Sequence, residues 1–120
     1  MVLIDTSIWI DHFRKHNSDL EYLLNEYQAA THPYIIGELA CGNFRNRTAI
    51  LKLIVALPIV PEVSQAEYHH FIERHELFGK GLRFVDIHLL AAAKVSHALL
   101  FTRDKSLLSA AAELDVVYTG

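Results

Sequence analysis

Short apolar runs alternate with stretches of helical periodicity from one end of this chain to the other, and few folds accommodate that alternation. Val2–Ile4 reads as a buried strand, after which Ile8, Trp9, His12 and Phe13 recur at helical spacing. Leu20, Leu23, Leu24 and Tyr27 form a second helical stripe, followed by a small strand at Ala29–Thr31. Pro33 suits the first turn of a helix, where its missing N–H would be unpaired anyway, and this helix is expected over Pro33–Asn43. Ile50, Leu51, Ile54 and Leu57 make another, ended by Pro58, with a strand fragment at Ile59 and Val60. Gln65–Leu77 is amphipathic and is expected to close on Gly79 and Gly81. A helix at Asp86–Ser96, a strand at Ala98–Phe101, a helix at Lys105–Leu114 and a strand at Val116–Tyr118 complete the pattern. Strands separated by helices imply an α/β fold, with a mainly parallel sheet covered on both faces.

The 120 residues suit a single domain, residues 1–120, and 52% hydrophobic content supplies a core without staples. One cysteine, Cys41, excludes a disulfide framework and any multi-cysteine zinc site. It fits a reducing compartment, so a cytoplasmic location is expected. Asp5 interrupts the apolar start before a signal-peptide core can form. Lys52 and Pro58 cut one candidate membrane span, and Lys94 and His97 cut the other, so no membrane association is expected. The net charge of −3 gives no electrostatic support for a nucleic-acid partner taken as a sum.

The acids are distributed in a way that the sum conceals. Asp5, Asp86 and Asp104 each follow an apolar run and precede a pair of apolar residues at i+3 and i+4. Any one alone is explained as a helix N-cap, accepting backbone N–H bonds for about 1 kcal/mol. In a parallel α/β sheet, however, every strand-to-helix junction lies on one edge, where ligands bind. Asp5 and Asp104 should converge there, and Asp86 joins them if Phe84–Val85 is a strand. Glu38 has no capping role, since it lies inside the expected helix among Ile35, Ile36 and Leu39. Gly37 and Gly42 beside it suggest a close approach, because a mid-helix glycine costs up to about 1 kcal/mol against alanine.

Four carboxylates around one pocket repel unless a cation sits among them, and all-oxygen ligands favour Mg²⁺ or Mn²⁺. Setting these four aside leaves 11 basic against 10 acidic side chains, which removes most of the objection from net charge. Arg14, Arg45, Arg47, Lys80 and Arg83 are then candidates for phosphate contacts.

Leu3-Ile4-Asp5-Thr6-Ser7, Ile36-Gly37-Glu38-Leu39, Val85-Asp86 with Leu90-Ala91-Ala92, and Phe101-Thr102-Arg103-Asp104 follow the pattern of PIN domains. The chain most resembles the VapC-like branch, the toxins of bacterial and archaeal type II toxin–antitoxin pairs. The likeness runs over nearly the whole chain, in order and with family-like spacing. It implies a three-layer α/β/α sandwich and a metal-dependent endoribonuclease acting on RNA. Asp5, Glu38, Asp86 and Asp104 would hold Mg²⁺ or Mn²⁺, and Thr102 would orient water or a neighbouring acid. Thr6 or Ser7 could do likewise. A cognate antitoxin and a homodimer are implied as partners. His88 departs from the pattern, being polar where the family helix is usually apolar.

Other readings are weaker. His69, His70 and His75 lack an H-E-x-x-H arrangement and read as surface histidines; His88, two residues from Asp86, falls on the far side of its helix. Cys41 reads as a small, half-buried residue, and Trp9 and Phe13 as core. A phosphoacceptor domain would need an aspartate where Ile59-Val60-Pro61-Glu62 offers none. A haloacid-dehalogenase-like phosphatase would need one where Ser7 stands. The remaining alternative is a non-catalytic RNA- or protein-binding module on the same fold.

Overall fold

The computed structural model describes residues 1–120. Strand β1 (Val2–Ile4) forms the centre of the sheet, with β2 (Ala29–Ala30) on one side and β3 (Leu99–Phe101) on the other, all parallel. Val2 pairs with Ala29 and Leu99, and Leu3 with Ala30 and Leu100. Successive side chains of a strand leave on opposite faces. Val2, Leu3 and Ile4 are all buried, so helices cover the sheet on both sides and the three-layer α/β/α arrangement follows.

Seven helices supply the cover: α1 (Thr6–Lys15), α2 (Ser18–Asn25), α3 (Pro33–Ala40), α4 (Arg47–Val55), α5 (Gln65–His75), α6 (Phe84–Val95) and α7 (Lys105–Glu113). Helix α3 packs on α1 and α4, while α6 packs on α5, α7 and strand β3. Helix α6 is the most deeply buried, with every residue from Asp86 to Ala93 inside. None of the helices is long and apolar enough to cross a membrane.

Several expected elements are shorter or differently ended. The strands at Ile59–Val60 and Val116–Tyr118 reduce to single bridges, Thr31 with Ile59 and Leu100 with Val117. Each still adds a parallel strand's hydrogen bonds, such as Val60 N–H to Thr31 O at 2.8 Å and Tyr118 N–H to Leu100 O at 3.0 Å. Helix α3 stops at Ala40 rather than Asn43, and the Arg47 guanidinium satisfies the carbonyls of Ala40 and Gly42 left without partners at its end. Helix α5 is closed by Glu76 in the left-handed region (φ 50°), not by glycine; Gly79 and Gly81 lie beyond it in the turn toward α6. Tyr27 lies outside α2, also at positive φ. Phe84–Val85 is no strand but the first turn of α6, which starts two residues earlier than expected.

Between α3, α5 and α6 lies an aromatic cluster with two buried histidines. His88 stacks on Tyr68 at 4.4 Å and meets Phe84 and Tyr34 edge-on; neither of its ring nitrogens has a partner. His32 caps α3, its Nδ1 accepting from Tyr34 N–H at 3.0 Å. Burial holds the His32 pKa down at about 4, with the neighbouring His88 acting in the same direction and Glu62 opposing.

A depressed histidine pKa means that the unfolded chain takes up a proton which the folded chain refuses. The stability due to a neutral His32 is therefore complete above about pH 6.5 and is lost as pH falls toward about 4. His32→Asn keeps an acceptor at the cap and cannot titrate. Its melting temperature should fall less than that of the wild type across this window in a calorimetric pH series.

Candidate active site

Helices α1, α6 and α7 all begin on the sheet edge where β1 and β3 end, so their first turns share one side of the molecule. Asp5 follows β1 directly. Its backbone N–H donates to Phe101 O at 2.9 Å, which extends the β1–β3 ladder by one residue and places Asp5 beside Thr102. The carboxylate is buried, and Oδ2 gathers the donors: Ser7 Oγ at 2.6 Å, Thr102 Oγ1 at 2.8 Å and Ser7 N–H at 3.4 Å. The same two hydroxyls accept in turn from backbone groups. Arg103 N–H reaches Ser7 Oγ and Asp104 N–H reaches Thr102 Oγ1, both at 3.0 Å.

The other acids are tied in the same manner, each by one oxygen. Asp104 caps α7 through Oδ1, which accepts from Leu107 N–H at 2.9 Å. Asp86 is the third residue of α6 rather than its cap, and its Oδ2 reaches back to Arg83 N–H at 3.0 Å. Glu38 is exposed on α3, with Oε1 accepting from the Thr6 hydroxyl at 2.7 Å. Thr6 and Ser7 thus divide the work, one holding Glu38 and the other Asp5. Asp5 Oδ1, Glu38 Oε2 and Asp86 Oδ1 make no hydrogen bond within the chain. None of these unpaired oxygens is sealed from solvent.

All four acids gather on the expected edge, but they do not form a finished cage: no three His, Cys, Asp or Glu side chains stand close enough to hold a metal ion as they are. Asp86 and Asp104 instead share a guanidinium, with Arg83 Nε 3.6 Å from Asp86 Oδ2 and an Nη 3.9 Å from Asp104 Oδ2. Periodicity gave no warning of this contact, because Arg83 occupies the N-cap position of a helix expected to start later. The donor set is nevertheless chemically suited to a hard divalent cation: carboxylate oxygens, no sulfur, and buried His88 turned into the aromatic cluster.

The remaining residues singled out by sequence separate cleanly. Arg47 clamps the end of α3 and Lys80 pairs with Glu113 at 3.1 Å. Cys41 is exposed rather than half-buried. A Cβ on Gly37 would meet nothing within 4 Å, and one on Gly42 would touch only Leu39 O and the Phe44 ring, so no close approach explains either glycine. His69 and His70 are exposed as expected, whereas His75 is half-buried against Phe71; Trp9 is buried in the core, while Phe13 is only half-buried and lines a cleft.

A protein-family model described as PIN domain matches residues 2–114. Ribonuclease VapC32 of Mycobacterium tuberculosis, in strain CDC 1551 / Oshkosh and in strain H37Rv, is 42% identical over 117 residues, covering 97% of this chain and 94% of that protein. The crystal structure of PAE2754 from Pyrobaculum aerophilum is similar in fold, with a TM-score of 0.58 at 17% identity over 95% of this chain and 88% of that one.

Thr102→Val should remove one donor from a buried carboxylate and strand the Asp104 N–H, costing about 1.5–3 kcal/mol in urea unfolding. Thr102→Ser keeps the hydroxyl and should lie much closer to wild type.

Proposed function

The chain belongs to the PIN-domain family, and on that premise we propose that it is a cation-dependent endoribonuclease, the toxin of a toxin–antitoxin pair. One observation carries the proposal. Asp5, Glu38 and Asp86 each spend one carboxylate oxygen on the fold and keep the other free on a shared edge. Asp104 spends Oδ1 likewise, while its Oδ2 meets only Arg83. One-oxygen anchoring is ordinary for a single capping acid such as Glu67; what supports the reading is that four acids anchored in this way share one edge.

Asp5, Glu38, Asp86 and Asp104 are the residues that would hold Mg²⁺ or Mn²⁺. Such an ion, when bound, polarises a phosphodiester, lowers the pKa of a water and stabilises the leaving oxygen. The protein's own groups perform the positioning. Ser7 and Thr102 fix Asp5 in one rotamer by two hydroxyl donors, and both hydroxyls are themselves fixed by backbone N–H groups. Thr6 steadies Glu38 on an otherwise exposed stretch of α3. Arg83 offsets the adjacent charges of Asp86 and Asp104. The helix N-termini of α1, α6 and α7 favour negative charge at this edge, which suits both the acids and an incoming phosphate.

The resemblance to VapC-like toxins further implies a cognate antitoxin and a homodimer; sedimentation of the purified chain tests the dimer.

The decisive assay is RNA cleavage by pure protein with Mg²⁺ or Mn²⁺, repeated in EDTA and with Asp5→Asn. An asparagine can still accept the Ser7 and Thr102 hydroxyls, so the fold should survive while cleavage is lost. Cleavage at wild-type rate in either control overturns the cation site. No cleavage and no cation binding by calorimetry would leave a non-catalytic binding module.

A further inference from the structure

The outer face of α1 carries cations that neither the fold nor the acid site employs. Beside Thr6 and Glu38 opens a cleft of about 570 Å³ between α1, α3 and the loop leading to α4. Its floor is apolar, with Phe44 stacked on Phe13 at 4.7 Å between centroids, and Arg14 and Arg45 stand along it. A second cleft of about 470 Å³ lies on the other side of α1, reaching Ser7, Lys15 and Arg103. Ile10 and Arg14 line both and form the ridge between them, so the trough that opens beside the acid site is the first cleft, bordered by Arg14.

Four of the basic side chains near the site already have partners, while Lys15 in the second cleft and Lys105 at the start of α7 have none. Arg103 is paired with Asp11, Arg47 with the α3 carbonyls, Lys80 with Glu113 and Arg83 with Asp86 and Asp104. Arg14 and Arg45 are exposed and make no hydrogen bond or salt bridge within the chain. Two unpaired guanidiniums over a stacked aromatic floor match the chemistry of a single nucleic-acid strand. Phosphates take the charge, and bases lie on the apolar surface.

We propose that the nucleotides flanking the scissile phosphate run along this trough, with Arg14 and Arg45 on their phosphates and the Phe44–Phe13 pair beneath a base. The inference rests on the ribonuclease reading and names where that site takes its substrate. These contacts supply affinity and register rather than base identity.

The test uses Asp5→Asn protein to keep RNA uncut, a fluorescent single-stranded oligoribonucleotide of about ten nucleotides, and anisotropy over a salt series. Arg14→Ala and Arg45→Ala should each weaken binding and flatten the plot of log affinity against log salt by about 0.7, the value for one phosphate contact on a single strand. Arg14→Lys and Arg45→Lys should keep most of that slope. Lys94→Ala, at the opposite edge where α6 ends against the Leu114 carbonyl, should leave it unchanged. Alanine variants with the parent's slope would overturn the trough while leaving cleavage by the wild type intact. Displacement of the RNA by an equal concentration of polyglutamate would overturn the assignment to RNA in favour of an acidic protein segment. Wild-type protein that neither cuts nor binds the oligonucleotide would overturn the ribonuclease reading and the trough together.

Discussion

The contact on which the rest depends is the seat of Asp5. Its N–H prolongs the β1–β3 ladder onto Phe101 O, and its Oδ2 collects the hydroxyls of Ser7 and Thr102. Those two hydroxyls take the N–H groups of Arg103 and Asp104. One carboxylate oxygen therefore locks the start of α1 to the loop that starts α7, across chain segments nearly the whole sequence apart. A buried carboxylate without such donors would be costly; with charge-assisted bonds at 2.6 and 2.8 Å it becomes a rivet.

The same economy extends to the other acids. An edge crowded with negative charge should repel itself, yet each carboxylate is offset locally. Backbone N–H groups meet Asp86 and Asp104, a hydroxyl meets Glu38, and Arg83 spans Asp86 and Asp104. Three helices present their N-termini to this edge, adding a favourable field. The acids are thus stable without a cation, and each is anchored by a single oxygen. The absence of a finished three-carboxylate cage and the suitability of the donors are compatible, because Glu38 is exposed and Asp104 half-buried, which leaves both free to shift toward the buried Asp5 and Asp86.

Much of this was legible in the chain. The strand at Val2–Ile4, the helices after Asp5 and Asp104 and the parallel sheet follow from periodicity, and the convergence of Asp5 with Thr102 and Asp104 follows from the topology of any parallel α/β sheet. Asp86 reached the same edge for a different reason from the one expected. Phe84–Val85, two apolar residues, cannot declare strand or helix by themselves, and here they form the first turn of α6. Glycines misled twice: Glu76 closes α5 in a conformation that glycine would have adopted more cheaply, and Gly37 faces open space. The partners of Arg83, Arg47 and Arg103 were illegible because they depend on tertiary placement rather than spacing. His32 and His88 were also hidden, since a histidine reads equally as surface or core until its neighbours are known.

The unpaired oxygens of Asp5, Glu38 and Asp86, with Asp104 beside them, are proposed as the ligand face for a hard divalent cation. Crystals soaked in Mn²⁺ and measured for anomalous scattering test it directly. A peak is expected in contact with Asp5 Oδ1 and at least two of the other three acids, with the Ser7 and Thr102 bonds to Asp5 Oδ2 intact. No peak at this edge, or a peak held by the surface histidines instead, would contradict it.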